Sequence, residues 1–528
     1  MTTITCYGAV GRIGGNKILV EDGDTRLFLD FGLDFGHSGR FFNELLRPRP
    51  ARGLLDLLAL GLLPPLEGLY RDDLAFPGLW ERFRGHPNYR DMRRDGLAAD
   101  AVIFSHAHLD HNADISYVNP RIPIYATRVT AFIARAMQIT GQSNFERELG
   151  YINPRTLSES GELQSDRKAP YRCRPHYFVD GLLTSVARDW WNGLPKSDSS
   201  KGKGFEPACA EAAPGVLNGL SIRWWPLDHS IPGAGGFAVQ TSAGWIAYTG
   251  DIRFHGKNRE LSWRFAEDLA TLKPVALLCE ATRPFPDPSP TTEADIIANA
   301  RRLVKQAEGR LVVADFGPRN VERLESFAQV AEETGRTLLI LPKDAYLLQA
   351  IALADPDRYA RPEQWPMLQL YADPKASPRA WEQNLRAAWP ERLIGPDDVS
   401  HHPGDYILCF SLWDANDLLD LQGVEGGIYL YSSSRAYDDE QAADLDRLRN
   451  WVCHMGFTLF GDPDDENRIP LHASGHAAGP ELVAFVTTVK PDLLIPIHTE
   501  KPEWWEEHLA GTGVRIHKPQ WGQPLELK

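Results

Sequence analysis

The tightest constraint in this chain is AVIFSHAHLDH, residues 101–111. There an apolar run empties into three histidines and an aspartate within six positions. A strand that ends in such a loop presents nitrogen and oxygen donors together, and donors that dense suggest a metal site. The two-residue spacing of His106 and His108 lets both rings converge on one cation, with Asp110 and His111 turned toward a second. Two divalent ions ~3.5–4 Å apart serve phosphoester and amide hydrolysis.

A paired site needs further donors, and the chain offers them at other strand ends. WWPLDHSIPGAGGF places His229 in a strand-end loop, and LLIPIHTE places His498 likewise. WIAYTGDIRF places Asp251 after an apolar strand, where a carboxylate can bridge two cations. Asp30, after RLFL, points into the same region and is expected to orient a liganding histidine from behind.

Composition narrows the class. At 528 residues, two or more domains are expected. No apolar run is long enough to span a bilayer, and MTTITCYGAVG lacks the basic-then-apolar pattern of a signal peptide, so a cytoplasmic protein with no membrane contact is expected. Cys6, Cys173, Cys209, Cys279, Cys409 and Cys453 form no CxxC pair, which argues against a cysteine zinc knuckle and against a disulfide framework. The net charge of -15 is not that of a basic coat protein. It does not exclude nucleic acid, because charge along a groove decides that.

The start, TITCYGAVGRIGGNKILVEDGDTRLFLDFG, reads as successive antiparallel strands. Its glycines do not fit GxGxxG. LDFG at 29–32 and ADFG at 314–317 are strand ends rather than kinase signatures. Residues 37–96 and 141–219 read as insertions, the first of helices and loops, the second carrying a mobile loop at PKSDSSKGKGFEP. From 275 strand and helix alternate with short connections, which predicts a parallel, doubly wound unit over 284–436. Within it, Thr292 is expected to cap a helix with Asp295 three residues on, and Gly335 to end the next.

Taken together, SHAHLDH, HSIPGAGGF, YTGDIRF, LLCEATRP, HASGHA and IPIHTE resemble the metallo-β-lactamase fold with a β-CASP insertion, in its bacterial ribonuclease J-like form. The resemblance covers roughly residues 1–36, 97–140, 220–350 and 405–510. It implies an α/β protein: a metallo-β-lactamase αββα sandwich with an inserted doubly wound β-CASP domain. The expected division is 1–283 and 437–528 for the sandwich and 284–436 for the cap.

The resemblance also implies roles. His106, His108 and His229 would hold one zinc, Asp110, His111 and His498 the other, and Asp251 would bridge them; manganese is the alternative metal. Glu280 matches the acid at the start of the cap, and His476 the histidine assigned to the scissile phosphate and leaving group. His498 matches the histidine of the RNA-cleaving branch. Such a metal pair lowers the pKa of water toward ~7, and His476, oriented by Glu280, would protonate the departing 3′ oxygen. RNA hydrolysis leaving 5′ phosphate and 3′ hydroxyl is therefore expected, as a 5′-3′ exonuclease with endonuclease activity as an addition. A DNA nuclease of the same superfamily and a small-molecule metallohydrolase are the alternatives.

The small, Gly-containing HASGHA loop lets backbone amides approach an anion, with His472, Ser474 and Gly475 as substrate contacts. Ser433 and Ser434 of SSSRAY, and Arg319, Asn320 and Arg323 of FGPRNVER, lie at cap strand ends where such sheets place ligands. The chain departs from the family in reading HTE after the last strand, and in its two long insertions, which carry WERFRGHPNYRDMRR and RDWWNG and are candidates for a protein partner. The 28 residues after Glu500 leave no room for the family's C-terminal domain, so its dimerisation is not expected.

Overall fold

The computed structural model describes the chain except residues 44, 143, 195–202, 288–289, 318 and 437–438. Most of the expected mobile loop (195–202) thus lies outside the described residues, as do Pro318 of FGPRNVER and Tyr437 of SSSRAY.

Two sheets form the sandwich. In the first, Thr2–Cys6, Lys17–Asp22 and Thr25–Phe31 run antiparallel, as the N-terminal pattern predicts. Ala101–Ile103, Ile124–Ala126, His176–Phe178 and Ala210–Ala212 then add in parallel, and Pro524–Leu527 pairs on the far edge. The second sheet starts with an antiparallel meander, Leu220–Pro226, Gly235–Thr241 and Gly244–Tyr248. It continues in parallel through Ala276–Glu280, Leu493–Ile497 and Arg515–Ile516.

Side-chain alternation explains the layering. Ile18, Val20, Leu27 and Leu29 face the second sheet, meeting Phe237, Val239, Ile246 and Leu278. Their neighbours Leu19 and Phe28 point outward, under the leucines of 54–66 and Phe132 and Ile133 of helix Arg128–Thr140. Beneath the second sheet, Ala247, Leu277 and Leu494 pack on Phe265 and Leu269 of helix Arg259–Leu272 and on Leu482 and Phe485 of helix Gly479–Val489. Strands buried on both faces read as continuous apolar runs, which is why VALLCEA and DLLIPIH show no alternation.

The third sheet is wholly parallel, in the order Leu393–Ile394, Leu368–Tyr371, Thr337–Ile340, Tyr406–Leu408, Val312–Asp315, Ile428–Tyr431, Thr458–Phe460. Thr292 caps helix Glu293–Gln306 in a reciprocal box with Asp295, and Gly335 ends helix Val321–Thr334 in the left-handed region.

Two boundaries differ from the sequence reading. The third sheet passes residue 436: strand Thr458–Phe460 pairs with Ile428–Tyr431, and Leu445, Leu448 and Val452 of helix Asp439–His454 pack on its face. The stretch 141–219 is not wholly an insertion, because His176–Phe178 and Ala210–Ala212 extend the first sheet. The basic, aromatic segment 80–94 packs on the sandwich: Trp80 stacks on Tyr70, and Arg90 grips Glu21 through two bonds. Trp191 of RDWWNG is fully buried.

Candidate metal centre

The seven expected ligands follow the ends of sandwich strands, whereas His472 and His476 lie in the loop before helix Gly479–Val489. His106 and His108 follow Ala101–Ile103, and Asp110 and His111 lie in the short helix Leu109–Asn112. Asp251 follows Gly244–Tyr248, and His498 follows Leu493–Ile497 with a left-handed φ of 51°.

Among the described residues three groups of donors result, each with its ligand atoms within 4.8 Å of one another: His106, His108, His229 and Asp251; Asp110, His111 and His498; and Glu280 and His476, which share Asp251 with the first. In the first, His108 Nδ1 lies 3.0 Å from His106 Nε2 and 3.1 Å from His229 Nε2. In the second, His498 Nε2 lies 3.1 Å from Asp110 Oδ2. Asp251 spans these two, its Oδ2 3.4 Å from His106 Nε2 and its Oδ1 3.2 Å from His111 Nε2.

The surroundings fix which ring nitrogen faces inward. Asp30, buried and at φ 57°, accepts from His111 Nδ1 at 2.7 Å, from Ser105 N at 2.7 Å and from the Ser105 hydroxyl at 2.6 Å. Tyr248 OH donates to the same carboxylate. With Nδ1 donating outward, the His111 Nε2 lone pair faces the centre. His229 Nδ1 donates to Gly475 O at 2.5 Å, and His498 Nδ1 meets Thr282 Oγ1 at 2.8 Å. Thr282 Oγ1 in turn donates to Glu280.

The donor set fits cations. His111 Nε2 and Asp251 Oδ1 are buried and make no hydrogen bond among the described residues, although they lie side by side. Burial, reinforced by the neighbouring rings, holds His106 and His108 well below the ordinary histidine value, and burial holds His229 down at about 4. These rings are therefore neutral, with lone pairs free to ligate. Against the cost of burial, His111 holds Asp110 and Asp251 ionised, well below the usual carboxylate range. Burial disfavours a charge on His111, yet Asp251, Asp110 and Asp30 raise its pKa well above the ordinary value. That field favours a positive charge at Nε2, which a divalent cation answers in place of a proton.

Beside the centre, His476 Nδ1 lies 3.0 and 3.1 Å from the two Glu280 oxygens and 3.9 Å from Asp251 Oδ2. Burial would keep this ring neutral, but Glu280 and Asp251 overcome it and raise the pKa to about 9. Glu280 also accepts from Ile252 N at 2.8 Å.

A cleft of about 220 Å³ opens from the centre between sandwich and cap, lined by His108, Ser230, Arg319, Ser433, His472 and His476 among others. Asn320, Ser434, Ser474 and Gly475 line it too. Arg319 reaches across the domain boundary to Ala107 O at 3.3 Å. His472 faces Ser432 O at 3.3 Å, and burial holds its pKa down at about 3.

Two residues, Asn320 and Arg323, differ from the sequence reading in what their side chains do. Asn320 spends its side-chain oxygen capping helix Val321–Thr334, accepting from Arg323 N at 3.0 Å. Arg323 is fully buried, with Glu293, Ser432, Leu471 O and Ala473 O around its guanidinium, so it does not face a strand in the cleft. The Ser434 carbonyl accepts from Tyr431 OH at 2.9 Å. Sequence reading missed Ser105, Thr282, Tyr248 and Arg253. Each stands one to three residues from a motif donor, a proximity that is the only signal the sequence offers.

Residues 468–519, which contain His472, Ser474, Gly475, His476 and His498, match the family described as the Zn-dependent metallo-hydrolase RNA specificity domain. The chain is similar to ribonuclease J of Corynebacterium glutamicum, 23% identical over 288 residues that make up 53% of this chain and 36% of the relative. It is 24% identical to ribonuclease J of Mycoplasma pneumoniae over 297 residues, 53% of this chain and 46% of that one. Ribonuclease J of Helicobacter pylori is 22% identical over 524 residues, 94% of this chain and 56% of its own. The chain thus spans about half the length of the curated relatives it matches, or less. Among solved structures, a crystal structure of a protein of unknown function from Enterococcus faecalis V583 shares the fold, with a TM-score of 0.65 and 22% identity over 99% of both chains.

Proposed function

From a chain that is ribonuclease J-like in its sandwich and its cap, we propose a metal-dependent ribonuclease that hydrolyses RNA phosphodiester bonds. The observation that carries this reading is the placement of His476, braced by Glu280 at 3.0 Å, on the cleft wall beside a seven-donor metal centre. A simple hydrolase needs the donors alone. A cleft closed by a second domain suits a polymer.

His106, His108, His229 and Asp251 would hold one divalent ion, and Asp110, His111, His498 and Asp251 the other, with zinc suited to so many imidazoles. When bound, the pair supplies water acidic enough to ionise near neutral pH and offsets charge on the phosphate. The chain's own residues do the rest. His476 donates a proton to the departing 3′ oxygen, and Glu280 holds its ring in line and keeps it protonated. Products with 5′ phosphate and 3′ hydroxyl follow, by 5′-3′ exonuclease action with some internal cleavage. Asp30 holds the His111 tautomer, and Arg319 and Ser433 offer donors to the strand in the cleft.

The test offers RNA and DNA of matched sequence, with 5′ phosphate, triphosphate or hydroxyl ends, to the metal-loaded chain with and without chelator. Chelator-sensitive RNA cleavage that needs Asp110 and His476 is expected. Cleavage of DNA alone, or of neither polymer, overturns the reading.

A further inference from the structure

The stretch from Leu471 to Gly475, which leads into and through the HASGHA loop, is held from behind at most of its carbonyls. Arg323 Nη1 donates to Leu471 O at 3.2 Å, and Arg323 Nη2 to Ala473 O at 3.5 Å. Arg253 Nη1 and His255 Nε2 meet Ser474 O at 3.3 and 3.1 Å. His229 Nδ1 takes Gly475 O. Four of the five carbonyls from Leu471 to Gly475 therefore point away from the cleft into buried donors. The amides of His472, Ala473, Ser474 and Gly475 make no hydrogen bond among the described residues.

The two arginines come from different domains. Arg253 follows the Asp251 strand end and is buried in the sandwich, where Asp228 pairs with it at 3.1 Å. Its other side meets Glu322, on the cap helix Val321–Thr334. Arg323, the next residue of that helix, is equally buried and forks onto Glu293 of the cap while reaching Ser432 O at 2.6 Å. Two adjacent cap positions, Glu322 and Arg323, thus grip the sandwich and the loop together. Buried guanidiniums with carboxylate partners keep a fixed direction, because breaking one contact strands a charge.

We infer that Arg253 and Arg323 are positioning residues: together they lock the loop from Leu471 to Gly475 with its free amides and His476 toward the cleft, and they make that conformation depend on the cap's seat on the sandwich. The inference deepens the ribonuclease reading and rests on it for the choice of RNA as substrate. Neither arginine is among the residues that line the cleft. A loop misplaced by about 1 Å costs on the order of 100-fold in rate.

The test compares the full-length, zinc-loaded chain with R253K, R323K and E322Q. Lysine keeps the charge but loses the fork, and E322Q loosens only the cap side. Two readouts are taken. Amide hydrogen exchange is followed at His476 and Ala477, whose N–H groups are bonded to Ser474 Oγ and Ile252 O. Steady-state cleavage is followed on RNA and on bis(p-nitrophenyl) phosphate, whose leaving group needs no proton. Faster exchange at His476 and Ala477 is expected in all three variants, with zinc content retained. RNA kcat should fall about 100-fold in R253K and R323K, KM should change less, and the activated diester should be affected far less. Unchanged exchange overturns the inference, as does loss of RNA cleavage without faster exchange. A wild-type chain that cuts no RNA refutes the proposed function while the exchange comparison still judges the clamp.

Discussion

His476 Nδ1 sits 3.0 Å from Glu280 Oε1, joining a loop and a strand end 196 positions apart in the chain. The carboxylate both aims the ring and lifts its pKa from 6.5 to about 9 against the effect of burial. A raised histidine pKa keeps the acid form at neutral pH and loses it as pH rises through the folded value. The alkaline limb of RNA kcat should therefore fall between 6.5 and about 9, cations on Asp251 drawing it below the upper end. E280Q should shift that limb to lower pH and cut kcat about 100-fold. A limb that stays in place in a kcat–pH profile separates the pair.

Asp251 touches the donor groups of His106 and of His111, whereas Asp110 serves one. D251A should bind neither ion tightly, and D110A should retain one. Equilibrium dialysis with zinc measures both stoichiometries. Equal stoichiometry in the two variants removes the bridging role.

The native state alone assembles these donors, so cations stabilise it by mass action. At a free concentration ~1000 times Kd the gain is about 4 kcal/mol. Chelator should lower the wild-type melting temperature and leave D251A unmoved in differential scanning calorimetry.

Asp30 orders His111 through a 2.7 Å bond without being able to ligate. D30N should weaken zinc binding about 10- to 100-fold, and the loss should concentrate in the group that contains His111. Competition against a chromophoric chelator reads it.

A Cβ on Gly475 would stand 2.5 Å from Ser230 Oγ and 3.1 Å from His229 Cε1. G475A should push the loop into the cleft, lowering RNA kcat on the order of 100-fold with little change in melting. Wild-type cleavage by G475A would show that the loop has room.

In the cap, burial lifts Asp315 from 3.8 to about 7, although Tyr429 OH donates to it at 2.7 Å. The folded state then binds its proton more tightly than the unfolded chain. That contribution is full below pH 3.8 and is lost as pH rises through about 7. D315N should lose less stability than wild type between pH 5 and pH 8, by roughly a few kcal/mol, in urea denaturation.

The sequence by itself determined the donors and the sheet faces. Each ligand stands at the end of an apolar run, so its exit from a strand is a local fact, legible in SHAHLDH or YTGDIRF. The alternation of 284–436 likewise declared a parallel sheet, since short strand–helix connections leave few other foldings. Tertiary structure decided which polar side chain meets which. The side chains of Asn320 and Arg323 read as substrate contacts, yet one caps a helix and the other is buried behind the loop. Thr458–Phe460 joined the cap sheet past the expected boundary. The Asn320 cap spans only three positions, whereas the burial of Arg323 and the pairing of Thr458–Phe460 rest on hydrogen bonds between residues tens to hundreds of positions apart. A buried charge takes the partner that packing brings to it, and no local pattern records that choice.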